Sequence, residues 1–143
     1  MSLMKIKPFL KWAGGKYRCL EHILPMLPAS RRLIEPFTGS GVIFINTDYE
    51  KYLLGEQNAD LIQLFTQIKN EGLMFIDYCE QWFCPQNNAA QQYYAIRSEF
   101  NACDNPRLRS AFFLYLNRHG YNGLCRYNSK GQYNVPFGHY KKP

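Results

Sequence analysis

Leu33-Ile34-Glu35-Pro36-Phe37-Thr38-Gly39-Ser40-Gly41 is the stretch whose reading decides the fold. An apolar pair running into Glu-Pro-Phe predicts a buried strand that ends in a tight turn, and residues 42–47 beyond it are compatible with a helix. Two glycines two apart at a strand-to-helix turn let the backbone approach a ligand closely, because no Cβ intervenes. Further on, Leu53-Leu54-Gly55-Glu56 reads as a second short strand ending in an acid. A carboxylate at such a strand end can accept hydrogen bonds from both hydroxyls of a ribose. The two strand ends together suggest a pocket for an adenosine-containing cofactor. Phe44 stands where a dinucleotide fingerprint has its third glycine, which argues against NAD or FAD. A Gly-x-Gly pair also builds ordinary turns, so on these residues alone a purely structural bend remains open.

A chain of 143 residues suits one domain, or a small lobe plus part of another. Hydrophobic residues make up 46%, enough for a core, and no apolar run reaches the length of a membrane span. The N-terminus lacks the apolar stretch of a signal peptide, and Met1-Ser2-Leu3 ahead of Met4 reads as an addition. Five scattered cysteines with no Cys-x-x-Cys pair predict reduced thiols in the cytoplasm rather than a disulfide or zinc framework, and no metal site is expected. The net charge of +6 is unevenly spread. Residues 1–116 hold 12 Lys and Arg against 11 Asp and Glu, whereas residues 117–143 hold five cations and no acid. A segregated basic end is an electrostatic footprint for a polyanion.

Taken in order, Gly14-Gly15 forces a turn with Lys16 just ahead of a helix expected over residues 17–24. Pro25, Pro28 and Ser30 link this helix to the first strand. After Glu56, Asn58 or Asp60 can cap a helix that stops near Gly72. Further helices are expected over 73–83, through Tyr93 to Phe100, and from Asn105-Pro106 to a stop at Gly120. Their aromatic stripes read as core faces. In the last 27 residues, Cys125-Arg126-Tyr127-Asn128 and Gln132-Tyr133-Asn134-Val135 read as two short strands joined by Ser129-Lys130-Gly131. Such a hairpin can enter a DNA groove. Arg126 can bridge a guanine edge bidentately, Leu124 can touch a thymine methyl, and Asn122 can pair with an adenine. Tyr121 is flat enough to slip between bases. A solvated basic hairpin is the plainer alternative.

With both halves read, the sequence resembles the Dam family of DNA adenine-N6 methyltransferases. The resemblance rests on Phe9-Leu10-Lys11-Trp12-Ala13-Gly14-Gly15-Lys16, on Glu35-Pro36-Phe37-Thr38-Gly39-Ser40-Gly41, and on Asn117-Arg118 followed by Gly120-Tyr121-Asn122-Gly123-Leu124-Cys125-Arg126-Tyr127-Asn128. Val135-Pro136-Phe137-Gly138 and Tyr140-Lys141-Lys142-Pro143 extend it over almost the whole chain. The resemblance implies that Trp12, Lys16 and Glu56 hold S-adenosylmethionine, with Phe37, Gly39 and Gly41 lining its pocket. It also implies that Tyr121 intercalates while Asn122, Leu124, Arg126 and Pro136 lie against a duplex site, similar to members that act on the adenine of GATC. Asn128, His139 and Lys141 complete the expected DNA-binding set. Two positions depart from the pattern. Glu56 stands where Asp is usual, and His139 stands where Arg is usual, which makes that contact sensitive to pH.

The family's chemistry is carried by an Asp-Pro-Pro-Tyr tetrad that accepts the amino hydrogens and stacks on the flipped base. These 143 residues contain no such tetrad, and Asn134-Val135-Pro136-Phe137 is only a near-match within the hairpin. No residue here is therefore assigned as catalytic, and the chain alone is expected to be inactive. The expected architecture is α/β: part of a Rossmann-like methyltransferase sheet over residues 4–58, then a helical target-recognition lobe over 59–143 with a β-hairpin near 121–138. Double-stranded DNA is the expected partner and no membrane is involved. A monomer is expected at full length, with an exposed sheet edge promoting self-association of this chain alone. A non-catalytic DNA-binding module and a small-molecule methyltransferase are the rival readings.

Overall fold

The computed structural model describes residues 5–143; the reading of Met1-Ser2-Leu3 as an addition falls outside them. The chain divides into two compact units, one ending at Gln57 and the other spanning Asn58–Pro143. No helix among the described residues is long and apolar enough to cross a membrane.

In the first unit, 3-10 turns at Lys16–Cys19 and Leu24–Met26 flank a single α-helical turn, α1 (Leu20–Ile23). The regular helix expected over 17–24 is thus broken up, and Pro25 lies in the 3-10 turn that follows α1. Strand β1 (Arg32–Glu35) pairs in parallel with β2 (Lys51–Leu54), with Leu33 opposite Tyr52 and Glu35 opposite Leu54. Leu20, Val42 and Ile43 form the buried centre, with Tyr17, Ile23, Leu24, Leu27 and Leu33 against it. Alternation along the strands leaves Ile34 and Leu53 exposed. The helix expected over 42–47 is only a 3-10 turn, Phe44–Asn46. Asn46 Nδ2 donates to the Val42 carbonyl and Thr47 Oγ1 to that of Ile43, so side chains take the acceptors that a longer helix would use.

The second unit is helical: α2 (Ala59–Glu71), α3 (Leu73–Glu80), α4 (Ala90–Ala102) and α5 (Pro106–His119). Asn58 caps α2 by accepting from the Leu61 N–H, and Asn105 caps α5 through Leu108, with Pro106 at its first position. Gly72, at φ 56°, ends α2. Helix α3 stops at Glu80, short of the expected Phe83. Phe75, Tyr93, Phe100, Phe112, Phe113, Tyr115 and Leu116 are buried, so the aromatic stripes are core, with α5 central between α2 and α4.

Residues 120–138 do not form the expected two-stranded hairpin. The arm turns back on itself with isolated antiparallel bridges, Gly120 to Phe137 and Tyr127 to Tyr133, and no strand. The two limbs share only short backbone pairing, Asn134 N–H on the Arg126 carbonyl and Asn128 N–H on the Gln132 carbonyl (3.0 and 2.9 Å), and the returning limb also binds α4. Asn101 donates to the Tyr133 carbonyl and accepts its N–H (3.0 and 2.8 Å), while Tyr93 and Arg97 both donate to the Val135 carbonyl (2.9 and 3.0 Å). The returning limb therefore satisfies Gln132 and Asn134 on the outgoing limb, and the groups of Tyr133 and Val135, which face the other way, on helix side chains. Tyr133, Val135 and Phe137 are buried as a result.

Candidate functional site

The chain leaves β1 at Glu35, and the turn that follows is fastened to the end of β2. Gly55 N–H donates to the Glu35 carbonyl at 2.7 Å, and Thr38 N–H donates to the Gly55 carbonyl at 2.9 Å. Gly39 and Gly41 both have positive φ (53° and 75°), which L-residues with a Cβ adopt at a cost. A Cβ on Gly39 would lie 3.1 Å from Trp12 Cδ1, so the tryptophan edge packs tightly over the glycine. Gly39 N–H donates to Glu56 Oε2 at 3.0 Å, and Glu56 Oε1 accepts from Gln57 N–H at 2.8 Å. Trp12, Gly39 and Glu56 thus meet at one point. Lys16 joins them by donating to the Phe37 carbonyl at 2.6 Å, while the Phe37 ring is largely exposed.

Sequence reasoning did not single out Glu35 itself. It is buried, and neither carboxylate oxygen has a hydrogen-bond partner among the described residues. Lys16 Nζ stands 3.6 Å from Oε1, an ion pair without a hydrogen bond. Burial pushes the Glu35 carboxyl above its ordinary value, and the Lys16 charge only partly opposes this. A buried acceptor of this kind is a place for a donor from a ligand. The signal was present, an acid closing an apolar strand, but its burial depends on pairing with β2.

In the second unit, the arm and the few residues after it carry every residue expected to touch DNA. Tyr121, Asn122, Arg126, Asn128, Pro136, His139 and Lys141 are exposed and Leu124 is half-buried. Several are also used internally. Arg126 Nε donates to Asn134 Oδ1 at 2.8 Å and Nη2 to the Asn134 carbonyl at 3.3 Å, which lays the guanidinium along the returning limb. Asn128 Oδ1 accepts from Lys130 and Gln132 N–H and so builds the turn at the tip. The Pro136 carbonyl accepts from Tyr121 N–H at 2.9 Å, and the Leu124 carbonyl from Tyr133 Oη at 3.1 Å. Asn122 (φ 52°) and His139 (φ 56°) are left-handed, the former with its N–H on Tyr140 Oη. Tyr93, Arg97 and Asn101, spaced by four on one face of α4, hold the arm from beneath. That i, i+4, i+8 polar line was legible in the sequence; its target was not.

A family model described as D12 class N6 adenine-specific DNA methyltransferase matches residues 12–143. The chain belongs to that family. It is 52% identical over 141 residues to a DNA adenine methylase of Vibrio cholerae serotype O1, covering 99% of this chain and 51% of that protein. A DNA adenine methylase of Escherichia coli K12 is 49% identical with the same coverage, and one of Serratia marcescens is 50% identical with 52% of its length covered. The chain spans about half the length of the curated relatives it matches.

Proposed function

We propose that this chain is the methyl-donor-binding and target-recognition part of a DNA adenine methyltransferase that uses S-adenosylmethionine and acts on the N6 amino group of adenine in duplex DNA, within GATC. The observation that carries this reading is the meeting of Trp12, Gly39 and Glu56, beside a buried Glu35 that lacks a hydrogen-bond donor. This donor set suits the cofactor. When bound, S-adenosylmethionine supplies an electrophilic methyl group on sulfur. Glu56, a strand-end carboxylate that accepts from two backbone N–H groups, is of the chemistry that takes ribose hydroxyls. Trp12 offers an aromatic face to a cation. Glu35 is the acceptor for an ammonium group, with Lys16 holding the turn closed through Phe37. Phe37, Gly39 and Gly41 would line the same pocket, in a sheet of Rossmann-like type.

On the arm, Arg126 would read a guanine edge, Asn122 an adenine and Leu124 a thymine methyl, with Tyr121 entering the stack. Pro136 would lie against the bases, and Asn128, His139 and Lys141 would meet the backbone or base edges. The protein would act in the cytoplasm as a monomer. DNA from cells expressing the intact protein should resist a nuclease that cuts only unmethylated GATC. Cutting as complete as in cells without the protein would contradict the proposal.

A further inference from the structure

One polar cluster in the second unit takes part neither in the base contacts nor in the core. Arg109, on α5, lays its guanidinium over the Phe100 ring at 4.1 Å. Its Nη1 donates to the Phe100 and Cys103 carbonyls at 2.8 and 3.2 Å, closing the end of α4. Nε and Nη2 fork onto Asp60 Oδ1 and Oδ2 at 2.6 and 3.2 Å, in the first turn of α2. Asp60 Oδ2 also accepts from the Tyr127 hydroxyl at 2.5 Å. Tyr127 is the residue after Arg126. Their side chains alternate, Arg126 exposed and Tyr127 turned in toward the helices.

The groups are held in their donor and acceptor forms. Burial raises the Tyr127 phenol, and its hydrogen bond to Asp60 raises it further, so the hydroxyl remains a donor. Burial works against the Arg109 charge, but the Asp60 carboxylate outweighs it. A half-buried ion pair is a weak source of stability, since apolar residues of equal volume fill such a place as well. Its distinctive property is direction. Arg109 fixes Asp60 through both carboxylate oxygens, and Asp60 Oδ2 is then offered at one angle to the arm. The outgoing limb meets the returning limb through the Arg126 carbonyl and Asn128 N–H, and Tyr127, pointing to the other side, adds the anchor that sets its height and rotation beside the guanidinium of Arg126.

We infer that Tyr127, through its hydroxyl on the Asp60–Arg109 pair, is a positioning residue that aims Arg126 and so sets the discrimination between base pairs at the guanine of the target. This rests on the reading of the arm as a duplex reader. The test measures affinity of the intact protein for two duplexes, one carrying GATC and one with the guanine pair replaced by A·T, by fluorescence anisotropy. For Tyr127→Phe the ratio of the two affinities should fall at least about five-fold, the lower end of what one bidentate base contact is worth. Affinity for the altered duplex should stay within about two-fold of the parent, because phosphate contacts dominate it. Asp60→Asn should behave alike. In an Arg126→Ala background, Tyr127→Phe should change the ratio no further, since the two act as one unit. A ratio unchanged by Tyr127→Phe, equal losses on both duplexes, or a further loss in the Arg126→Ala background would each overturn the inference. A parent protein that binds the two duplexes equally would remove the duplex-reading proposal, and the positioning role with it.

Discussion

Glu35 is kept buried against the preference of a carboxylate for water. Its only charged neighbour within ion-pair distance among the described residues is Lys16, whose own hydrogen bond goes to the Phe37 carbonyl. Because burial raises the carboxyl above the ordinary 4.5, the folded chain binds a proton there more tightly than the unfolded chain does. Stability from this group is therefore present at low pH and is lost as pH rises from about 4.5 through the raised folded value. Glu35→Gln should stabilise the fold at pH 7 by roughly 1 kcal/mol, a gain typical of relieving a functional site, and should weaken cofactor binding. Thermal melts from pH 4 to 8 check the first part: the gain should shrink toward zero at the acid end. A variant that melts below the parent at pH 7 would contradict this account. At this scale the sequence exposed residue types but not their surroundings. Glu56 was legible as a strand-end acid, whereas its hydrogen bond to Gly39 N–H comes from the parallel pairing that brings Gly55 beside Glu35.

The elements show which local rules prevailed. Asn58 and Asn105-Pro106 start α2 and α5, and Gly72 stops α2, because caps and glycine turns act within a few residues of where they are written. The first strand stands where the sequence put it, but it is not the buried strand expected, since Ile34 is 61% exposed and only Glu35 is buried. The arm was not legible, since its strand pattern of alternating polar and aromatic residues is equally served by burying Tyr133, Val135 and Phe137 against α4. Helix side chains then satisfy the backbone groups of Tyr133 and Val135, which face away from the outgoing limb. Asn101 matters most, because it satisfies both the N–H and the carbonyl of Tyr133. Asn101→Ala should cost about 2 kcal/mol by leaving that buried pair unmatched. Tyr93→Phe should cost less, because Arg97 also donates to the Val135 carbonyl. Urea midpoints of the two variants measure the order, and an Asn101→Ala midpoint equal to the parent's would contradict it.

At the scale of the whole molecule, chemistry is divided along the chain. The glycine turn, with its carboxylates, belongs to the unit that ends at Gln57, and the five cations without an acid belong to the last 27 residues of the other. The motifs behind the family resemblance were legible because each is contiguous. The polar clusters that support them, such as Asp60 with Arg109 and Tyr127, are assembled from residues about 50 to 70 apart and carry no local signature. The central claim is that the meeting of Trp12, Gly39 and Glu56 grips the methyl donor independently of the arm. Calorimetric titration of the intact protein with S-adenosylhomocysteine tests it most directly, comparing the parent with Gly39→Ala and Arg126→Ala. The added methyl would stand 3.1 Å from Trp12 Cδ1 at a φ of 53°, so Gly39→Ala should bind at least about ten-fold more weakly while Arg126→Ala binds as the parent does. Parent-like binding by Gly39→Ala, or equal loss in both variants, would contradict the account.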